Sequence, residues 1–538
     1  MSSSSTMRLG ERGHPEHTQL LHLGDRVVQF FFQTTRDTTT TTTNTNAVKR
    51  LFTDLLHDVY QQNDLELLTL LYQHIGHTRD IIHGKGERDL AYMMVHVWSQ
   101  HDPDLAQFAF RAFVTFPSFG NPHPYGSWKD IKYFCTYCKD QGDERMVPFA
   151  IQLANDQLRM DADAPDDQPI SLVAKWIPRE NSQRHGWLFQ RMALHYFAHF
   201  DPENHKARTK AYTDYRKLLS HLNRRLETVQ VRQCNDPDWS GIQAKHVTSL
   251  TQVLQQSAFL RHDLALKPDA YTKRRRHDPL SLVRAAFRAK TDAERNWINR
   301  QWMTNRQWMK TTAPPNSHKM LILLDLSETM PQDAALAVAL SLADESALGR
   351  HITLFGGAWV NLTDLSLTES LTKIQQEGQS VVSTNSDFHR AHDFLLDAMA
   401  DAKLSSEEVE DLTLVIISDM QIDPDDTNRY AGFSLYHSIQ AKYVLRGFTT
   451  PPSVVFWNMR PSAEGMPAVP SQDRRCWYLS GYQPNLIRHV SSQRFSHPQE
   501  ANNPFQMWTR ALHQPRYRVL RNYLQERMFK VACQNVEA

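Results

Sequence analysis

The residues in this chain best suited to chemistry lie in one short run, DLSET, where Asp325, Ser327 and Thr329 occupy alternate positions. A carboxylate and two hydroxyls so placed supply the hard oxygen donors that Mg²⁺ or another hard divalent cation prefers. A second carboxylate, Asp419, closes LTLVIISD, and the stretch STNSDF between them offers Thr384 or Ser386 as a further hydroxyl. Few protein ligands and several waters would leave one coordination position for a partner's carboxylate or phosphate. The triplet alone is a weak signal, because Asp and Ser after a strand are ordinary helix N-caps. Its placement strengthens it: both aspartates end an apolar run, which brings them to one edge if those runs are parallel neighbours.

That placement demands a particular scaffold. MLILLDL and LTLVIISD are short, continuously apolar runs suited to buried parallel strands, and HITLFGG, SVVFWNMR and CWYLSG read the same way. Helical runs alternate with them at AALAVALSLADESAL, FHRAHDFLLDAMADAKL and LYHSIQAKYVL. Strand–helix alternation predicts a doubly wound, Rossmann-like parallel sheet, which binds ligands beyond the carboxyl ends of its strands. Upstream the period is helical, as in LFTDLLHDVYQQNDLELLTLLYQHI, with Pro, Gly and Asp clusters such as NPHPYGS between segments. The expected class is therefore α plus α/β. An all-helical, solenoid or HEAT-like region precedes the sheet, although no fixed-period repeat stands out.

The division expected from composition is as follows. Residues 1–50 form a partly disordered segment carrying the threonine run Thr38 to Thr43. Residues 51–312 form the helical domain, 317–490 the α/β domain, and 491–538 a C-terminal helical segment. At 538 residues the chain exceeds one ordinary core, and a net charge of +1 gives no global pull toward nucleic acid or membrane. Five scattered cysteines argue for a reducing compartment, and the N-terminus has no apolar core of the secretory kind. No apolar run reaches the roughly 20 residues of a spanning helix. A cytoplasmic protein is expected, with a nuclear one open through the basic run Lys273, Arg274, Arg275 and Arg276.

DLSETM resembles the metal-ion-dependent adhesion motif of von Willebrand factor A (vWA) domains, D-x-S-x-S. By that resemblance Asp325, Ser327 and Thr329 form the first loop, Ser386 takes the threonine-loop position and Asp419 the last acidic one. Thr329 stands for the second serine and keeps its hydroxyl, while Glu328 replaces a common glycine. GKGERDLAY, YGSWKDI, KWIPRE, NSDF, SDMQID, VVFWNMR and YLSGYQPNLI follow one another in order. Together they resemble an uncharacterised family of plants, fungi and large DNA viruses in which a TROVE-like helical region precedes a vWA domain. The Ro ribonucleoprotein is a more distant likeness, and it implies RNA bound by the helical region.

Other signals carry competing readings. KRRRHD at Lys273 to Asp278 offers phosphate contacts or an import signal, against a solvated loop. Lys85 and Arg88 in GKGER form either an ion-pair network or an RNA-facing edge, and KWIPRE (Lys175, Arg179, Glu180) has the same two readings. Trp297, Trp302 and Trp308 interleave with Arg as stacking residues would, yet their helical spacing suits packing better. Cys135 and Cys138 form a single C-x-x-C without a second ligand pair, so buried thiols are expected instead of zinc.

The function these readings favour is non-enzymatic: a scaffold whose metal site takes an acidic side chain of a protein partner, with RNA as a further ligand. The alternative is a Mg²⁺-dependent phosphatase-like hydrolase with Asp325 as nucleophile. That chemistry uses D-x-D-x-T, and Ser327 replaces the aspartate that would act as general acid.

Overall fold

The computed structural model describes residues 5–10, 12–35, 42–115, 123–235, 239, 242, 247–261, 277–312, 318–382, 388–424, 432–460, 465–483, 486–487, 490 and 503–537, with side chains for all of these but 5, 42–45, 235, 249, 308–312, 380–382 and 531–537. The chain divides into two compact units. One, the α/β unit, comprises Met1–Leu71, Thr248–Arg261 and Ala265–His513; the helical unit comprises Tyr72–Val247, His262–Leu264 and Gln514–Ala538. Among the described residues no helix is long and apolar enough to cross a membrane.

The α/β unit is built on a six-stranded, mostly parallel sheet. Two short N-terminal strands, β1 (Ser5–Leu9) and β2 (Pro15–Leu20), pair separately as a hairpin. The main sheet contains β3 (Lys319–Leu324), β4 (His351–Leu354), β5 (Ala358–Asn361), β6 (Leu412–Ser418), β7 (Ser453–Asn458) and β8 (Cys476–Ser480), in the order β5-β4-β3-β6-β7-β8. Only β5 runs antiparallel. Every residue of β6, β7 and β8 is buried, which is why these strands read as unbroken apolar runs. The connecting helix Gln332–Glu345 is likewise buried from Ala334 to Asp344, matching its lack of a polar face.

Chain order fixes where a ligand could enter. From β3 the chain passes to β4 on one side of the sheet; from β6 it passes to β7 on the other. The carboxyl ends of β3 and β6 therefore flank the point at which the winding reverses. Register pairs Leu324 with Ile417, Ile417 with Trp457 and Trp457 with Leu479, so the residues just beyond align as one row: Asp325, Ser418, Asn458 and Ser480.

The N-terminal segment belongs to this unit. Helix Leu23–Gln33, carrying VVQFFF, sets Phe31 against Trp508 and Phe32 against Tyr478. Its last carbonyls lack helical partners. Ser480 Oγ donates to Phe31 O at 2.6 Å, and Asn458 Nδ2 donates to Phe32 O at 3.0 Å. Of the threonine run, Thr38 to Thr41 lie outside the described residues, and Thr42 opens helix Thr42–Gln61.

In the helical unit, successive helices pack on their chain neighbours: Asp89–His101, Pro103–Val114, Lys129–Asp140, Val147–Asp163, Gly186–Tyr196 and His205–Arg225. Asp102 caps the second of these by accepting from Asp104 N and Leu105 N, with Pro103 at the first helical position. The expected C-terminal segment is divided. Helix Pro504–Leu512 stays with the sheet, whereas Arg518–Glu537 packs on Pro103–Val114, stacking Tyr523 on Phe108 at 3.7 Å. Asp80, fully buried, anchors the chain leading into that helix by accepting from Arg516 Nη2 at 2.8 Å and from Tyr517 Oη at 3.0 Å.

Candidate metal centre

Strand β3 ends at Leu324, and the chain turns at once. Asp325 Oδ1 accepts the amide of Ser327 at 2.8 Å, and Met330 N donates to Ser327 O at 3.1 Å. This tight turn swings the hydroxyls of Ser327 and Thr329 to the same edge, 3.2 Å apart. Thr329 Oγ1 then donates to Asp419 Oδ2 at 2.7 Å. Asp419 sits one residue past β6, and its Oδ1 accepts Gln421 N at 3.0 Å. Met420, between them, holds a φ of 63°. A left-handed backbone at a bulky residue is rare and costs on the order of 1 kcal/mol or more, so the turn is held by its surroundings.

The four positions read from the sequence thus converge: Asp325, Ser327, Thr329 and Asp419 form one continuous set of oxygens. Both carboxylates are fully buried. Burial first, and the neighbouring Asp419 charge second, raise the Asp325 carboxyl to about 6. Three neighbours escaped the sequence reading. Ser418 Oγ donates to Asp325 Oδ2 at 3.1 Å, Arg460 Nη1 lies 3.6 Å from Asp419 Oδ2, and Arg12 exerts a weaker favourable charge on Asp325. Arg460 lies two residues past β7, in VVFWNMR, so its place beyond a parallel strand end was the available signal. Thr384 and Ser386 lie outside the described residues.

The donor set fits a hard divalent cation: two buried carboxylates that repel each other, joined by two hydroxyls at a sheet rim. Its nitrogen- and sulfur-free chemistry disfavours zinc. Among the described residues no group of three or more His, Cys, Asp or Glu gathers as a metal cluster, at the rim or away from it; the rim brings together two carboxylates and hydroxyls. Cys135 and Cys138 are buried free thiols; burial pushes Cys138 up to about 12 and Cys135 well above its ordinary value.

The basic residues have separate fates. Lys273 to Arg276 lie outside the described residues. Trp297 and Trp302 are buried, and Trp302 Nε1 donates to Asp344 Oδ2 at 2.9 Å, so both serve packing. Arg88 lies half-buried with its guanidinium 4.4 Å from the Tyr133 ring centroid. Lys85 is only 6% exposed, in the connection where a Cβ on Gly84 would meet His77 O at 1.9 Å. Burial lowers the Lys85 ammonium to about 7, against a weaker opposing pull from Glu87.

That shift has a measurable consequence. The unfolded chain keeps the Lys85 proton to about pH 10.5, whereas the folded unit releases it near 7. Stability therefore climbs as pH rises through this window, by at most ~1.4 kcal/mol per pH unit. Lys85→Met is expected to flatten the slope in urea titrations at pH 7, 8 and 9. An unchanged slope would mean that the folded unit holds the lysine charged.

Residues 317–513, which include the whole main sheet and its rim, match a family described as a domain of unknown function, DUF7788. Comparison with curated proteins finds no match for the chain.

Proposed function

We propose that the rim between β3 and β6 is a metal-ion-dependent ligand site of the vWA type, and that the chain is a non-enzymatic binding scaffold. One observation carries this reading: two fully buried carboxylates, each just past a parallel strand, are linked through the Ser327 and Thr329 hydroxyls where the sheet reverses its winding. Asp325, Ser327, Thr329 and Asp419 would hold Mg²⁺ or a similar cation, with Ser386 as the proposed further hydroxyl. A cation there supplies a positive centre for an acidic side chain of a protein partner. The chain's own residues do the positioning. Ser418 and the Ser327 amide orient Asp325, while Arg460 and Thr329 orient Asp419. The ordered likeness to TROVE-like and vWA sequences supports the same reading and extends it to an RNA ligand in a cytoplasmic or nuclear setting.

Calorimetric titration of the full chain with Mn²⁺ and Mg²⁺ tests it. One saturable site is expected, weakened on the order of 100-fold or more in Asp325→Ala and Asp419→Ala. Equal binding by both variants, or none by the wild type, overturns the proposal. The Mg²⁺-loaded protein is also expected to leave aryl phosphates intact. Turnover that Asp325→Asn abolishes would put a hydrolase in its place.

A further inference from the structure

The helical unit carries a second concentration of unusual chemistry, unrelated to the rim. A cleft of about 1180 Å³ opens beside helix Val173–Trp176, and Lys132, Lys175, Trp176, Arg179, Glu180 and Arg216 contribute to its wall. Glu180 is the only carboxylate among the described residues that line it, and Arg216 engages it at 3.0 Å. Lys132, Lys175 and Arg179 therefore leave the wall with an excess of positive charge.

Aromatic faces sit inside this charge. The ammonium groups of Lys129 and Lys132 each lie 5.3 Å from the Trp176 ring centroid, and that of Lys175 lies at 5.5 Å. Next to them, Tyr133 gathers Arg88 at 4.4 Å, Lys132 at 5.2 Å and Lys129 at 5.5 Å. Four cations thus share two rings. All four, and both rings, are half-buried, so they are held in place instead of sweeping through solvent. Burial, followed by the charges of Lys129 and Arg88, lowers the Lys132 ammonium. Proline fixes the local shape: the short helix stops at Trp176, and Ile177 before Pro178 takes the extended backbone that a following proline requires.

Crowded cations of like charge, half-desolvated, cost a fold stability unless an anion meets them. Flat aromatic faces beside those cations suit a ligand that is both anionic and aromatic. We propose that this cleft binds a nucleoside phosphate, with the phosphate at Lys132 and Lys175 and the base against Trp176. The cleft exceeds the roughly 300–1,000 Å³ of ordinary small-ligand pockets. A nucleotide therefore fits either as a free molecule or as one unit of a single strand. The site deepens the binding-scaffold reading but uses none of the rim residues, so either can fail without the other.

The test uses the full chain in EDTA, with two probes read by fluorescence anisotropy: fluorescein-labelled single-stranded oligoadenylate of about 12 nucleotides, and a fluorescent ATP analogue. At least one probe is expected to saturate the wild type and the Asp325→Ala variant equally. Trp176→Ala should weaken it about 5- to 150-fold, the range of one lost base stack, while Trp176→Phe keeps most of the affinity. Lys132→Glu and Lys175→Glu should each weaken it and lower the salt dependence by roughly one ion. Preference for the oligonucleotide identifies a strand as the source, and preference for the ATP analogue identifies a free nucleotide. Far-UV circular dichroism confirms that each variant is folded. Three results would overturn the proposal: no saturable binding of either probe, equal binding by the folded Trp176 and lysine variants, or competition by inorganic tripolyphosphate as effective as that by ATP.

Discussion

Asp130→Asn is expected to destabilise the helical unit by about 3–5 kcal/mol, a third or more of what holds a typical domain together. Asp130 is fully buried and serves four donors. Arg79 Nε reaches Oδ1 at 2.6 Å and Arg79 Nη2 reaches Oδ2 at 2.8 Å; Tyr92 Oη donates to Oδ1 at 2.6 Å and Ser127 N to Oδ2 at 2.8 Å. An amide replaces one acceptor oxygen with a donor and removes the countercharge. The Arg79 guanidinium, 5% exposed, is then left buried without its anion. Gly126 shows how tightly the pair is enclosed, since a Cβ there would lie 2.5 Å from Asp130 Oδ2 and 2.8 Å from Arg79 Nε. Urea unfolding followed by circular dichroism measures the loss. Arg79→Met added to Asp130→Asn should recover much of it, because the stranded charge is gone. A single-variant cost below about 1 kcal/mol would show that water reaches the pair.

These residues also explain part of the motif pattern. GKGERDLAY contributes Tyr92 and YGSWKDI contributes Tyr125, Gly126 and Asp130. Tyr92 and Arg79 both donate to Asp130, while Tyr125 Oη donates to Arg516 O at 2.9 Å. Two of the motifs thus build the helical unit. KWIPRE differs, because Lys175, Trp176, Arg179 and Glu180 line the cleft.

The sheet was legible because burial on both faces leaves a signature independent of distant partners: an unbroken apolar run ending in a polar residue. The same signature located Asp325 and Asp419. The four-residue edge strand β5, AWVN, has too little length for any period to register, and the hairpin of β1 and β2 is short, with an exposed first strand. Helix Leu23–Gln33 carried its apolar signal plainly, but nothing local says that its final carbonyls meet Asn458 and Ser480, more than 400 positions away. Charge was harder still. The run at Lys273 to Arg276 announces itself in sequence, while Arg88, Lys129, Lys132 and Lys175 come from three separate stretches and converge only through helix packing.

The opposite sign of effect is expected at Asp325, where Asp325→Asn should stabilise the metal-free α/β unit at pH 8. The folded carboxyl is raised from 3.8 to about 6 by burial and by Asp419. Between those values the folded protein keeps a proton that the unfolded chain has released. Stability therefore falls as pH climbs through the window, and the whole penalty is present above about 6. A shift of this size corresponds to about 3 kcal/mol. Asparagine carries no charge, still accepts from Ser327 N, and offers amide protons to Ser418 Oγ, so most of that penalty should disappear. The gain should vanish below about pH 4, where both states of the wild type are protonated. Magnesium is expected to bring the two proteins close to level. At 100 times its dissociation constant it adds ~2.7 kcal/mol to the wild type and at most ~0.4 kcal/mol to a variant that binds it 100-fold more weakly. Thermal unfolding of both proteins, in EDTA and in Mg²⁺ at pH 8, reads all four states. A variant less stable than wild type in EDTA would mean that the fold itself wants the charge, held by Arg12. No Mg²⁺ increment in the wild type would remove the cation from the rim. A carboxylate that weakened the metal-free fold and regained that loss only with a cation bound would be one placed there for a ligand, not for folding.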